Sequence, residues 1–326
     1  MVATLQELIK KGFNIYLKGL PNSPRLSSTL KRNIEIIAYH FGSIDNFLKA
    51  KKEDFENISF VGGEKPINLS KLDFMKIEGF QQSDLLNPQL TIQQNFIKIL
   101  TAEFVNRQLQ MIENLELETL NINPILAGAL NLNNKEDLLR YYVYQSVSRS
   151  VVTSMGFLVQ NLILYASEYV YEGKDDELGE KTKWDIVVDK ANGVKAYLEI
   201  KSGTNNINKS QIHHYENEID LIESNGFRAF IGETYGKRSD NTITHGLLKQ
   251  YLPNWEKRTL IGKELWIFIT DDDSYHYQLI DMLLDTSKQI LINQTIIDKI
   301  ESRISPIIDD FNLKYQSYDQ FLKSLW

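Results

Sequence analysis

The chain of 326 residues contains no cysteine. That removes disulfides, thiolate nucleophiles and cysteine-bound zinc from consideration. It has no uninterrupted run of the roughly 18 to 20 apolar residues needed to span a bilayer, and its opening, MVATLQELIKKGFNIY, lacks the apolar core of a signal peptide. A soluble, cytoplasmic protein with no membrane partner is expected. Neither a GxSxG elbow nor a GxxxxGK[ST] loop occurs, which disfavours a serine hydrolase and excludes a chain that drives an ATP-powered motor by itself. There is no repeat of solenoid period and no low-complexity stretch. The five histidines show no HxxxH or HNH-like spacing.

What is present suits a globular fold. Apolar residues make up 42%, aromatics 11% and charged residues 24%. At roughly 150 residues per domain this length predicts about two domains. The net charge of −7 and pI near 5.4 argue against nonspecific coating of nucleic acid. The charge is unevenly spread, however: residues 1–80 carry 12 Lys/Arg against 9 Asp/Glu, leaving 24 against 34 for the remainder.

Residues 1–135 read as helices punctuated at PNSP (21–24), VGGEKP (61–66) and NINP (121–124). The apolar stretch 134–171 predicts two consecutive helices broken near Met155 and Gly156. Strands are expected at 184–189 and 194–201, joined by an Asn-Gly turn, then at 227–236 and 264–270. Between the second and third strands lies a helix with Ser210 as cap candidate and Gly226 as stop. From Ser274 onward the pattern is helical again. The expected class is α/β (α+β), with a mixed central sheet flanked by helices in a domain over 136–326 and an all-helical domain over 1–135.

The chemistry concentrates at Asp185, Glu199, Ile200 and Lys201. Side chains alternate along a strand, so Glu199 and Lys201 share a face, and Asp185 at the start of the neighbouring strand can meet them there. Two carboxylates suit Mg²⁺, with the Ile200 carbonyl as a further ligand. Lys201 is then placed to orient an attacking water or offset developing charge.

This constellation resembles the PD-(D/E)xK nuclease superfamily, with Trp184-Asp185 in place of Pro-Asp, and the order of helix, two strands, helix and strand resembles its αβββαβ core. The resemblance implies an Mg²⁺-dependent nuclease that cleaves double-stranded DNA. Gln211 and Tyr215, one helical turn apart, resemble the Gln-x3-Tyr element of some of these nucleases. EIKSGTNNINKSQ (199–211) looks like the corresponding run of type II restriction endonucleases of the TdeIII-like group, and the likeness covers roughly 140–285. Where such nucleases often carry a helix Glu, the matching position is Gln160, a neutral amide that argues against a second metal. Residues 41–71 resemble a helix-hairpin-helix module, whose hairpin at Gly62, Gly63 and Lys65 would hold a phosphate. Ser202, Asn205 and Lys209, with Lys237 and Arg238 in the loop 236–245, are further candidate DNA contacts.

Other polar features read more plainly. His213 and His214 point about 100° apart on a helix and are taken as surface or packing residues. His40, His245 and His276 are taken as structural, and the acidic stretch 173–180 as a solvated linker. The expected function is a type II restriction endonuclease acting as a homodimer, since cutting both strands of a symmetric site calls for two related active sites, with a cognate DNA methyltransferase in the same system. The alternatives are a nuclease that reads DNA structure and a catalytically inactive DNA-binding protein with the same fold.

Overall fold

The computed structural model describes residues 4–20, 28–56, 58, 67, 69–203, 207–292 and 294–326. Gly62, Gly63 and Lys65 of the expected hairpin, and Asn205, lie outside the described residues. The chain divides into two compact units, Met1–Ala102 with Gly156–Leu284, and Glu103–Met155 with Asp285–Trp326.

In chain order, the helices are first α1 (Leu5–Lys18), α2 (Ser28–Phe41), α3 (Ile44–Lys49), α4 (Lys52–Glu56), α5 (Lys71–Gln81) and α6 (Ile92–Glu113). Then come α7 (Pro124–Ala129), α8 (Lys135–Leu164), α9 (Glu177–Thr182), α10 (Lys209–Ser224) and α11 (Ile243–Tyr251). The last are α12 (Lys263–Thr270), α13 (Tyr275–Leu291), α14 (Ile296–Lys314) and α15 (Tyr318–Ser324). The strands are β1 (Val170–Glu172), β2 (Ile186–Asp189), β3 (Lys195–Lys201), β4 (Arg228–Glu233) and β5 (Thr259–Ile261).

Capping fixes several of the helix starts. Thr4 and Glu7 exchange hydrogen bonds in a capping box at α1, and Ser70 and Asp73 do the same at α5. Their apolar faces meet in a core built on Leu8, Phe13, Ile34, Phe47, Phe55, Phe80 and Phe96. In the second unit, Leu138, Leu139, Tyr142 and Val143 of α8 pack with Ile300, Ile304, Ile307 and Phe311 of α14.

The five strands form one sheet in sequence order. β1, β2 and β3 run antiparallel, while β3, β4 and β5 run parallel. The β2–β3 turn needs Gly193 at φ +83°, which explains the Asn-Gly pair. Ile212, Tyr215, Ile219 and Ile222 of α10 and Leu248 of α11 cover the sheet face formed by Val187, Tyr197, Ala229 and Ile231.

Several expectations change. ELWIFIT is helical, not a strand: Gly262 at φ +55° redirects the chain after β5, and Leu265, Trp266 and Ile269 form one buried stripe at helical spacing. A short apolar run fits a buried strand or a buried helix equally well by composition, so its neighbours decide. The stretch 134–171 holds one helix unbroken at Gly156, followed by β1 at its end. A glycine inside a helix costs about 1 kcal/mol relative to Ala, too little to break 30 residues of helix. By length and apolar composition alone α8 could cross a membrane, although Tyr, Ser and Gln interrupt its apolar residues, so no uninterrupted apolar run of that length occurs. The cap of α10 is Asn208, not Ser210. Residues 173–180 form a turn and most of α9 instead of a solvated linker, with Asp176 capping α9 and accepting from Tyr197 at 2.7 Å.

Candidate active site

The antiparallel register places Ile186 opposite Leu198, so Asp185 enters β2 beside the end of β3. There its Oδ2 accepts from the Ile200 N–H at 3.0 Å. A strand residue sends its N–H and C=O to the same edge, so the Ile200 carbonyl also faces the Asp185 side. Glu199 and Lys201 stand together on one face of β3, each side chain only 14% exposed. Lys201 Nζ donates to Glu199 Oε1 at 2.6 Å.

A third side chain closes this pair. The Tyr215 hydroxyl accepts from Lys201 Nζ at 2.8 Å and donates to Glu199 Oε1 at 2.8 Å. Tyr215 reaches the site because it lies on the buried stripe of α10, while Gln211 is half-buried and outside that stripe. Gln211 Oε1 accepts from the Asn208 N–H at 2.9 Å, closing the capping box that starts the helix. Gln160 of α8 stands close enough to Asp185 for its side-chain amide to help lower the carboxyl's pKa.

The electrostatics follow from this packing. Burial first, and then the negative charge of Glu199, push Asp185 up to about 6, against the pull of the Ile200 N–H, Lys201 and Gln160. Burial acts to lower Lys201, but the Glu199 charge and the hydrogen bonds it donates to Glu199 and Tyr215 together raise it, so the ammonium stays charged. Burial also raises Tyr215, keeping its hydroxyl protonated.

The other candidates lie as follows. Ser202 is half-buried just past β3. Lys209 begins α10 with its ammonium 4.4 Å from the Tyr251 ring centroid. Lys237 is exposed. Arg238 is engaged within the fold: it donates to Thr259 Oγ1 at 2.8 Å and Thr259 O at 2.9 Å, pairs with Glu264 and lies 5.2 Å from the Trp255 ring centroid. His213 lies 3.5 Å from Glu216. His245 is buried with Glu233, a partner that sequence spacing alone does not reveal.

Among the described residues no three or more His, Cys, Asp or Glu side chains group in a way that could hold a metal. The donor set here is instead two carboxylates and one carbonyl, which suits a cation that keeps several waters. The chain matches the family model of the type II restriction endonuclease EcoO109I over residues 91–290, a span that contains Gln160, Asp185, Glu199, Lys201 and Tyr215. No curated protein matches it.

Proposed function

Since the chain belongs to the EcoO109I family of type II restriction endonucleases, we propose that it cleaves a specific sequence in double-stranded DNA, using Mg²⁺ held by Asp185, Glu199 and the Ile200 carbonyl. The observation that carries this reading is the joining of Glu199, Lys201 and Tyr215 at 2.6 to 2.8 Å beside Asp185. The donor set fits the cation, because two buried carboxylates that repel one another, with Asp185 pushed up to about 6, are relieved by a divalent ion between them. Bound there, Mg²⁺ would polarise a phosphate oxygen and make a water more acidic.

The remaining roles fall to the chain's own groups. Lys201 Nζ, held charged by Glu199 and Tyr215, cannot accept a proton. It instead donates hydrogen bonds to the attacking water oxygen or to the phosphate oxygens as negative charge builds on them. Water attacks phosphorus and gives up a proton to solvent, the P–O bond to the leaving sugar oxygen breaks, that oxygen takes a proton from solvent, and the lysine offsets charge throughout. Tyr215 fixes the lysine's direction. Gln211 supports the site at one remove by starting α10 in the right place. Residues 1–135 would grip DNA and 136–326 would cut it, in a cytoplasmic homodimer whose cognate methyltransferase protects the host.

The test is digestion of unmethylated phage DNA by the purified protein with Mg²⁺ or with EDTA, beside Glu199→Gln and Lys201→Met. Discrete, Mg²⁺-dependent fragments lost in both variants are expected. Binding without cleavage of any duplex would overturn the reading and leave a DNA-binding protein with a nuclease fold. Cleavage confined to branched or nicked substrates would instead identify a structure-specific nuclease.

A further inference from the structure

Glu233 ends β4 directly beside Lys201, its register partner on β3, so the two side chains stand on the same sheet face. Its carboxyl is 1% exposed, and so is His245 of α11. His245 Nε2 lies 2.9 Å from Glu233 Oε2, and its Nδ1 lies 2.9 Å from the Asp240 carbonyl oxygen. A carbonyl only accepts, so Nδ1 carries the hydrogen, and one of Nε2 and the Glu233 carboxyl donates to the other. Among the described residues, buried Glu233 Oε1 and Thr244 Oγ1 have no hydrogen-bond partner.

Such a pair is an expensive way to stabilise a fold. Apolar residues of similar volume commonly replace buried ion pairs with no loss of stability. What this pair does have is reach, since Asp240 belongs to the loop 236–242. There the Asp240 side chain accepts from the Lys237 N–H at 2.7 Å, and the Asp240 N–H donates to Lys237 O at 2.9 Å. The loop's base is tight: a Cβ at Gly262 would stand 2.2 Å from Gly236 O. Tyr235 is 54% exposed, yet its hydroxyl would lie 2.8 Å from a Cβ at Gly203, just past Lys201.

We propose that Glu233 and His245 are positioning residues that hold the loop 236–242 beside the end of β3, so that Lys237 meets a DNA phosphate next to the scissile one. The role rests on the nuclease reading given above. Two full-length variants test it: Glu233→Gln, and Glu233→Leu/His245→Leu as an apolar replacement of the pair. Amide hydrogen exchange on the free protein should quicken at Lys237 and Asp240 while the β3 amides stay protected. KM for unmethylated phage DNA should rise about tenfold, the scale on which supporting side chains commonly act, with kcat unchanged. Wild-type exchange in the loop together with wild-type KM, even with a lowered melting temperature, would overturn the proposal. If the double variant does not fold, Glu233→Gln decides. If the wild-type protein cuts no DNA, the nuclease reading fails, and the exchange measurement still decides whether the pair positions the loop.

Discussion

Phe13, Phe47, Phe55 and Phe80 close the helical core of the first unit by edge-on and tilted ring contacts, with centroids 5.2 to 6.4 Å apart. Buried polar groups there fasten turns: Asn95 Nδ2 donates to the carbonyls of Asn87, Leu90 and Thr91, and Asp73 serves a cap. The ends of β3 and β4 at Glu199, Lys201 and Glu233, with His245 of α11, bury ionisable groups against one another. Aromatic burial stabilises a fold directly. Buried ionisable groups lose hydration and recover it only through their partners. On the proposed function, the contrast puts stability in the first region and chemistry in the second, and each can be perturbed separately.

The largest effect should come from Glu199→Leu/Lys201→Met, which replaces the site's ion pair with apolar side chains. Cleavage should fall by about 10²–10³ or more, the usual loss when a charge-stabilising group is removed, while the chemical-denaturation midpoint stays at or above that of the wild type. A parallel loss of stability would break the comparison. The converse perturbation is Phe80→Ala, at a side chain with 0% exposure. It should cost about 3–5 kcal/mol of unfolding free energy, and DNA cleavage per folded molecule should be unchanged.

How legible each region is in the sequence follows from the same physics. Strand periodicity and the Asn-Gly turn place β2, β3 and β4, and with them the meeting of Asp185, Glu199 and Lys201. Period two leaves no choice about which residues share a face. The helical stripe of Ile212, Tyr215, Ile219 and Ile222 also marks Tyr215 as the inward residue, a signal available beside the Gln211 spacing. ELWIFIT misleads because a seven-residue apolar run has no resolvable period, and the turn at Gly262 that decides it depends on the neighbouring Gly236 backbone. The Glu233–His245 pair is hidden for another reason: its members lie 12 residues apart across an irregular loop, where no periodicity predicts a contact.

Asp185 offers a finer test of the second region. Its carboxyl is pushed from 3.8 up to about 6 by burial and by Glu199. Between those values, the native state of the metal-free protein holds a proton that the unfolded state has lost. Stability therefore falls as pH rises through that window and stays lower above it, by at most about 3 kcal/mol. Asp185→Asn should flatten this part of the pH–stability curve in thermal melts. Adding Mg²⁺ near neutral pH should raise the wild-type melting temperature and leave that of Asp185→Asn unmoved. An unchanged curve in the variant would show that the carboxylate pair carries no electrostatic cost.

The smallest expected effect separates two neighbouring cations in the loop 236–242. Lys237 is exposed, while Arg238 is spent on Thr259 and Glu264. If Lys237 contacts a phosphate, Lys237→Ala should weaken binding of any duplex by a similar factor and reduce the slope of log affinity against log salt by about 1. Arg238→Ala should leave that slope unchanged and lower stability instead, because it strands Glu264 and removes two bonds to Thr259. Fluorescence anisotropy of a labelled duplex across a salt series, in Ca²⁺ to prevent cutting, reads the first quantity, and denaturant unfolding reads the second. Were Arg238→Ala to change the salt slope and Lys237→Ala not, the loop's DNA contact would be assigned to the wrong residue, and Arg238 would have to leave its partners when DNA binds.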